Sequence, residues 1–138
     1  MNTDFLDAHR RHLCDADALF SASRLANADH LYGMAAECGL KRLMVAFGMQ
    51  TDPIGSPADR KTDWIHADKV WVRYETYRSG HLDGTQYALS ASNPFIDWKV
   101  EQRYAQEQNF NLGRVEPHRT AAQHVHALIK NAEKAGLI

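Results

Sequence analysis

Apolar positions recur with helical spacing along most of this chain. Leu6, His9, Leu13, Ala16 and Phe20 follow one another at steps of three and four, one face of a helix of about five turns. Thr3 or Asp4 stands ahead of it and can accept hydrogen bonds from its free N-terminal N–H groups. Arg10, Arg11, Asp15 and Ser21 fall on the other side and are expected to face water. Ser23-Arg24 reads as a joint. A second helix is expected over Leu25–Phe47, stopped by Gly48. It differs from the first, being apolar on most sides with one thin polar stripe. Such a helix must be buried among other elements. The polar groups it carries inward then need partners or a function.

Residues 49–62 hold two Pro and one Gly and read as a long loop, a kind that is often functional or mobile. A third helix is expected over Asp63–Ser79, with Trp64, Ala67, Trp71, Tyr74 and Arg78 on one face and Gly80 ending it. Leu82–Ala91 reads as a short fourth helix, broken at Ser92-Asn93-Pro94 because proline pushes the residue before it out of the α region. Phe95–Ala105 mixes aromatic and charged residues and is compatible with another short helix. Asn109–Pro117 reads as a second loop. The last helix is expected from His118 to Ala135, with Ala121, Val125, Leu128, Ala132 and Ala135 as its apolar stripe and Gly136 as its stop. No alternating strand pattern of useful length occurs. The expectation is a single all-α domain over residues 1–138: an antiparallel, up-and-down bundle of four long helices plus short ones.

Composition narrows the function only a little. The chain has 138 residues, 44% of them hydrophobic and 24% charged, with a net charge of −1, so no global basic field points to nucleic acid. Cys14 and Cys38 both fall in expected helices and read as buried free thiols, which suits a reducing compartment. The N-terminal residues are not basic and then apolar, as a signal peptide would be. No apolar run approaches the roughly 20 residues of a membrane span. The protein is therefore expected to be cytoplasmic, without a membrane partner.

Two segments carry a family likeness. Ala26–Lys41, with Ala28-Asp29-His30-Leu31 followed by Ala36-Glu37-Cys38-Gly39-Leu40-Lys41, resembles the second helix of HEPN-domain proteins. Asn93-Pro94-Phe95-Ile96-Asp97-Trp98, followed by Gln102-Arg103-Tyr104, resembles a segment before the final helix of that family. The resemblance implies a HEPN-like helical bundle that forms a homodimer. It also implies one of several roles: a non-catalytic protein that binds RNA or a nucleotide, a metal-independent RNase of toxin–antitoxin systems, or a structural partner of a nucleotidyltransferase.

RNase members carry Arg, then four to six residues, then His. Arg119 matches with four residues before His124 and with six before His126. In such an enzyme His acts as base or acid on a ribose hydroxyl and Arg stabilises charge on the phosphate. At about 100° per residue, Arg119 and His126 share a helix face and His124 lies well round from it. That face is expected to point away from the monomer core, either into a dimer cleft or into water. Arg114 and His118, with three residues between, depart from the pattern.

The stripe of the second helix is His30, Glu37 and Lys41. An ion pair across one turn accounts for Glu37 and Lys41; the alternative is a phosphate or nucleotide held by Lys41 with His30. Trp98, Arg103 and Tyr104 form a third group. They read either as base-stacking and phosphate-contacting residues or as a plug at the end of the bundle. No metal or cofactor is expected. His9 and His12 are one turn apart, but His9 lies on the apolar stripe and reads as a core histidine. No Gly-rich phosphate loop, Gly-x-Ser-x-Gly elbow or paired cysteine ligands occur.

Overall fold

The computed structural model describes residues 1–138 and is all-helical. Its four long helices are α1 (Phe5–Ser21), α2 (Leu25–Ala46), α3 (Ala67–Ser79) and α4 (Leu112–Lys134). Three short 3-10 turns cover Gly84–Tyr87, Val100–Tyr104 and Glu107–Asn109. No helix is long and apolar enough to cross a membrane.

Asp4 starts α1 by accepting from the N–H groups of Leu6 and Asp7, each at 3.0 Å. Its inward face buries His9, Leu13 and Ala16. Cys14, one position round from Leu13, is exposed, which corrects the expectation of two buried thiols; only Cys38 is buried. There burial pushes its thiol pKa up to about 12. Helix α2 is the central element. Ala28, Tyr32, Ala35, Ala36, Leu40, Leu43 and Met44 are all fully buried along it, as a helix apolar on most sides must be.

The side-chain pairings fix the directions. Along α1, His9 meets Ala35 and Asp17 meets Tyr32, so α1 and α2 are antiparallel. Along α4, His118 meets Asp29, and Val125 lies against Gly39, so α4 runs in the same sense as α2. Along α3, His66 meets Glu37, and Tyr74 meets Phe47, so α3 also follows α2. The up-and-down order is thereby corrected. Only the α1–α2 joint is a tight hairpin; residues 47–66 and 80–111 each carry the chain back along the bundle before the next helix begins.

The first return segment is hydrogen-bonded throughout. The Asp52 carboxylate accepts from the N–H groups of Ile54 and Ser56, and Thr3 N–H donates to the Ile54 carbonyl at 2.7 Å. The third helix begins at Ala67 rather than Asp63. Trp64 therefore stands ahead of it, half exposed, with its indole N–H donating to the Pro57 carbonyl at 2.9 Å. The expected helix over 82–91 is reduced to one 3-10 turn. There the Tyr87 carbonyl accepts from the Tyr74 hydroxyl at 2.8 Å, while Leu82 is fully exposed. The expected loop over 109–117 is also corrected. Asn111 caps α4 by accepting from Arg114 N–H at 3.0 Å, and Pro117 lies inside the helix. Proline there removes one backbone donor. The buried side chains of Val115 and His118 hold the helix on either side of it.

Candidate functional site

Two polar clusters lie along α2, one toward each end. Toward its C-terminal end, Lys41 Nζ donates to Glu37 Oε1 at 2.8 Å, and both side chains are almost wholly buried. Glu37 Oε2 lies 3.1 Å from Nδ1 of His66, whose side chain is 48% exposed. The hydrogen bond to Glu37 raises the His66 pKa above its ordinary value, against a smaller opposing effect of burial. One carboxylate thus holds an ammonium and, when protonated, an imidazolium. Above this triad opens a depression of about 280 Å³, walled by Phe5, Ser56, Pro57, Trp64 and Ile65. A neighbouring depression of about 260 Å³ also borders Trp64, Ile65 and His66 and is lined further on by Asp68, Lys69, Lys99 and Glu101, with Lys99 paired to Asp68 at 2.7 Å. The Arg60 guanidinium sits 4.8 Å from the Trp64 ring centroid at the rim. The groove therefore offers a buried cation, a titrating imidazole and an aromatic surface: the means to hold an anion attached to a flat or apolar body.

His30, the remaining member of the stripe, lies apart from this groove. It stacks on Trp98 with ring centroids 5.6 Å apart, and its Nδ1 is buried without a hydrogen-bond partner. Burial, followed by the Arg103 charge, lowers its pKa. Trp98 is fully buried over Gly33, donates its indole N–H to the Asp29 carbonyl at 3.1 Å, and plugs this end of the bundle. Arg103 and Tyr104 are exposed, with the guanidinium 4.8 Å from the Tyr104 ring centroid. The six residues singled out for ligand contact thus divide: Glu37 and Lys41 in the groove; His30, Trp98, Arg103 and Tyr104 at the start of α2.

The second cluster was not singled out from the sequence. Asp29, fully buried, lies with Oδ1 2.7 Å from His118 Nδ1 and accepts from Gln102 Nε2 on Oδ2 at 2.7 Å. His118 Nε2 faces Asp97 Oδ1 at 3.0 Å. Arg114 closes the ring onto Asp97 at 2.9 Å and lies 3.7 Å from Asp29. Burial alone lowers the His118 pKa, but hydrogen bonds to the two carboxylates outweigh it and leave it raised. With both nitrogens donating, His118 is an imidazolium pin between helices and has no lone pair for chemistry. Asp29 and His118 join α2 to α4; Asp97 and Gln102 bring in the segment before α4. Arg114 and His118, which depart from the RNase spacing, are the Arg and His that converge.

Arg119, His124 and His126 do not come together. Arg119 lies over the Phe20 ring at 4.4 Å and reaches Asp17 at 3.3 Å. Asp17 also accepts from the Tyr32 hydroxyl at 2.6 Å. His126 packs on His9, a fully buried histidine, with 3.0 Å between His126 Nδ1 and His9 Nε2. The face bearing Arg119 and His126 is therefore turned onto α1, which corrects the expectation that it points away from the monomer. The two residues meet α1 at opposite levels. His124 is exposed and borders a separate depression of about 180 Å³ with Trp71, Ser90, Pro94 and Thr120.

No family model, no curated protein and no solved structure matches the chain.

Proposed function

We propose that this is a HEPN-like helical protein that binds a nucleotide or a short piece of RNA in an accessory role, and that the Glu37–Lys41–His66–Trp64 groove is where it does so. The observation that carries the reading is the placement of a buried ammonium at the floor of an open depression of about 280 Å³, with a half-exposed tryptophan at its rim. A buried ion pair is weak evidence for stability, since well-packed apolar residues serve as well or better. Its position under an opening is what a phosphate site needs. Protonated His66 gives the triad a net positive charge, and Trp64 supplies a face for a base.

The test is a thermal-shift panel of nucleoside mono-, di- and triphosphates and a short single-stranded RNA. At least one is expected to raise Tm by several degrees. Trp64→Ala and His66→Ala, which leave the Glu37–Lys41 pair in place, are expected to abolish the rise. A panel without any shift, or a shift that both variants retain, would sink the reading.

A second reading, a metal-independent endoribonuclease using Arg119 with His126 or His124, is favoured at one point only. His126 keeps one ring nitrogen free of any partner. Cleavage of RNA in the presence of EDTA, abolished by His126→Ala, is its expected outcome.

A further inference from the structure

The hydrogen bonds around His9 form a chain whose proton positions can be deduced. The Ala35 carbonyl can only accept, so Nδ1 of His9, 2.8 Å from it, carries a proton. His9 is fully buried, and burial lowers its pKa despite that bond, so the ring is neutral and Nε2 bears a lone pair. Nε2 lies 3.0 Å from Nδ1 of His126. The proton in this contact must therefore sit on His126 Nδ1. Burial, then the Lys130 and Arg10 charges, lowers the His126 pKa as well. A neutral His126 protonated at Nδ1 has its lone pair at Nε2. That atom has no hydrogen-bond partner and is not among the buried unpartnered ones, so it meets solvent.

We propose that His9 is a positioning residue: anchored on the Ala35 carbonyl, it holds His126 as the single tautomer that presents Nε2 outward as a proton acceptor for a hydroxyl-bearing ligand. The proposal rests on the second reading above, in which His126 is a base, and explains how the fold prepares it. The groups around the acceptor are Lys130 and Glu133 on α4 and Arg10 and Asp17 on α1, with His12 facing His9 from α1 itself. Arg10 is already paired with Glu133. In proton transfer the ligand O–H bond breaks, its electron pair stays on oxygen, and the proton forms the N–H bond at Nε2. The resulting imidazolium still donates from Nδ1 to His9. The extra proton can be passed on, making His9 the cation with Nδ1–H on the Ala35 carbonyl and leaving His126 neutral. The pair accommodates one proton in this way. A second would set two N–H groups against each other, with the ring centroids 5.3 Å apart.

The relay is tested by long-range ¹H–¹⁵N correlation spectra of the ¹⁵N-labelled full chain at neutral pH. His126 is expected to show a protonated Nδ1 and an unprotonated Nε2, and His9 the same. His9→Phe, which removes the acceptor facing Nδ1, is expected to return His126 to a mixture of tautomers. His9→Gln, whose amide keeps one donor and one acceptor, is expected to preserve the wild-type tautomer. A protonated Nε2 on wild-type His126 overturns the proposal without recourse to any variant. So does a His126 tautomer unchanged in folded His9→Phe. Failure to cleave RNA, with the tautomer as stated, removes the endoribonuclease reading and leaves the relay standing; the two failures are distinct.

Discussion

An ionised carboxylate taken out of water loses several kcal/mol of hydration unless charge and hydrogen bonds replace it. Asp29 is fully buried and recovers its partners from His118 and Gln102, both at 2.7 Å. His118→Ala leaves that carboxylate without its charged partner and is expected to lower the unfolding free energy by about 3–5 kcal/mol. Asp97, with its side chain 52% exposed, holds the other nitrogen of the same ring. Asp97→Asn is expected to cost about 1 kcal/mol or less. Urea denaturation of the two variants checks the contrast, and equal losses would contradict it. The Glu37–Lys41 pair gives the complementary case. The double variant Glu37→Leu/Lys41→Met replaces a buried pair by apolar side chains of similar volume and is expected to keep Tm while losing ligand binding. A large fall in Tm would instead make the pair structural. Asp29 carried a legible signal: it sits seven residues before Ala36 and eleven before Leu40, in the centre of the apolar stripe of α2. A carboxylate in that place needs a partner. The partner could not be read, because an Asp–His contact across 89 positions has no local pattern.

At the scale of the elements, helix α2 approaches its neighbours at two glycines. A Cβ on Gly33 would stand 2.1 Å from the Trp98 indole, and one on Gly39 would stand 2.5 Å from Val125 Cγ1 and 2.7 Å from His9 Nδ1. Alanine is the better helix former by about 1 kcal/mol, yet the clash must win at Gly33, where the indole is pinned by its hydrogen bond to the Asp29 carbonyl. Gly33→Ala is expected to destabilise by at least about 1–3 kcal/mol and to change the near-UV circular dichroism of the tryptophans. Unaltered stability would show that Trp98 moves freely. The four long helices were legible because each has a periodic stripe. Their boundaries failed where one residue admits two structures. Trp64 suits a helix face and instead stands ahead of α3 at the groove, and Pro117 suits the end of a loop and lies inside α4. The direction of α3 and α4 was not legible at all, since it depends on where long connections return.

Across the whole molecule, the histidines divide in a way that shapes stability against pH. The pKa values of His9, His12, His30 and His126 are lowered, each chiefly by burial. The folded state binds fewer protons at these sites than the unfolded chain, so their contribution is present above about pH 6.5 and lost as pH falls below it. At His66 the Glu37 hydrogen bond raises the pKa, and at His118 burial opposes the two carboxylates but they prevail. Those two contribute fully below about pH 6.5, and the contribution is lost as pH rises through their folded pKa values. Tm is therefore expected to peak near neutrality and to fall on both sides. His118→Ala should flatten the alkaline limb and His126→Ala the acid limb; a curve rising monotonically from acid to alkaline pH would contradict this division. The same His66 proton links stability to the proposed function, because the triad is net positive only while His66 is charged.

Calorimetric titration of adenosine monophosphate into the protein at about pH 6 and about pH 8.5, on either side of the ordinary histidine range, tests the groove most directly. Saturable binding is expected, weakening several-fold at the higher pH, where His66 loses its proton, and disappearing in both His66→Ala and Trp64→Ala. No saturable heat at either pH, or binding indifferent to both substitutions, would contradict it.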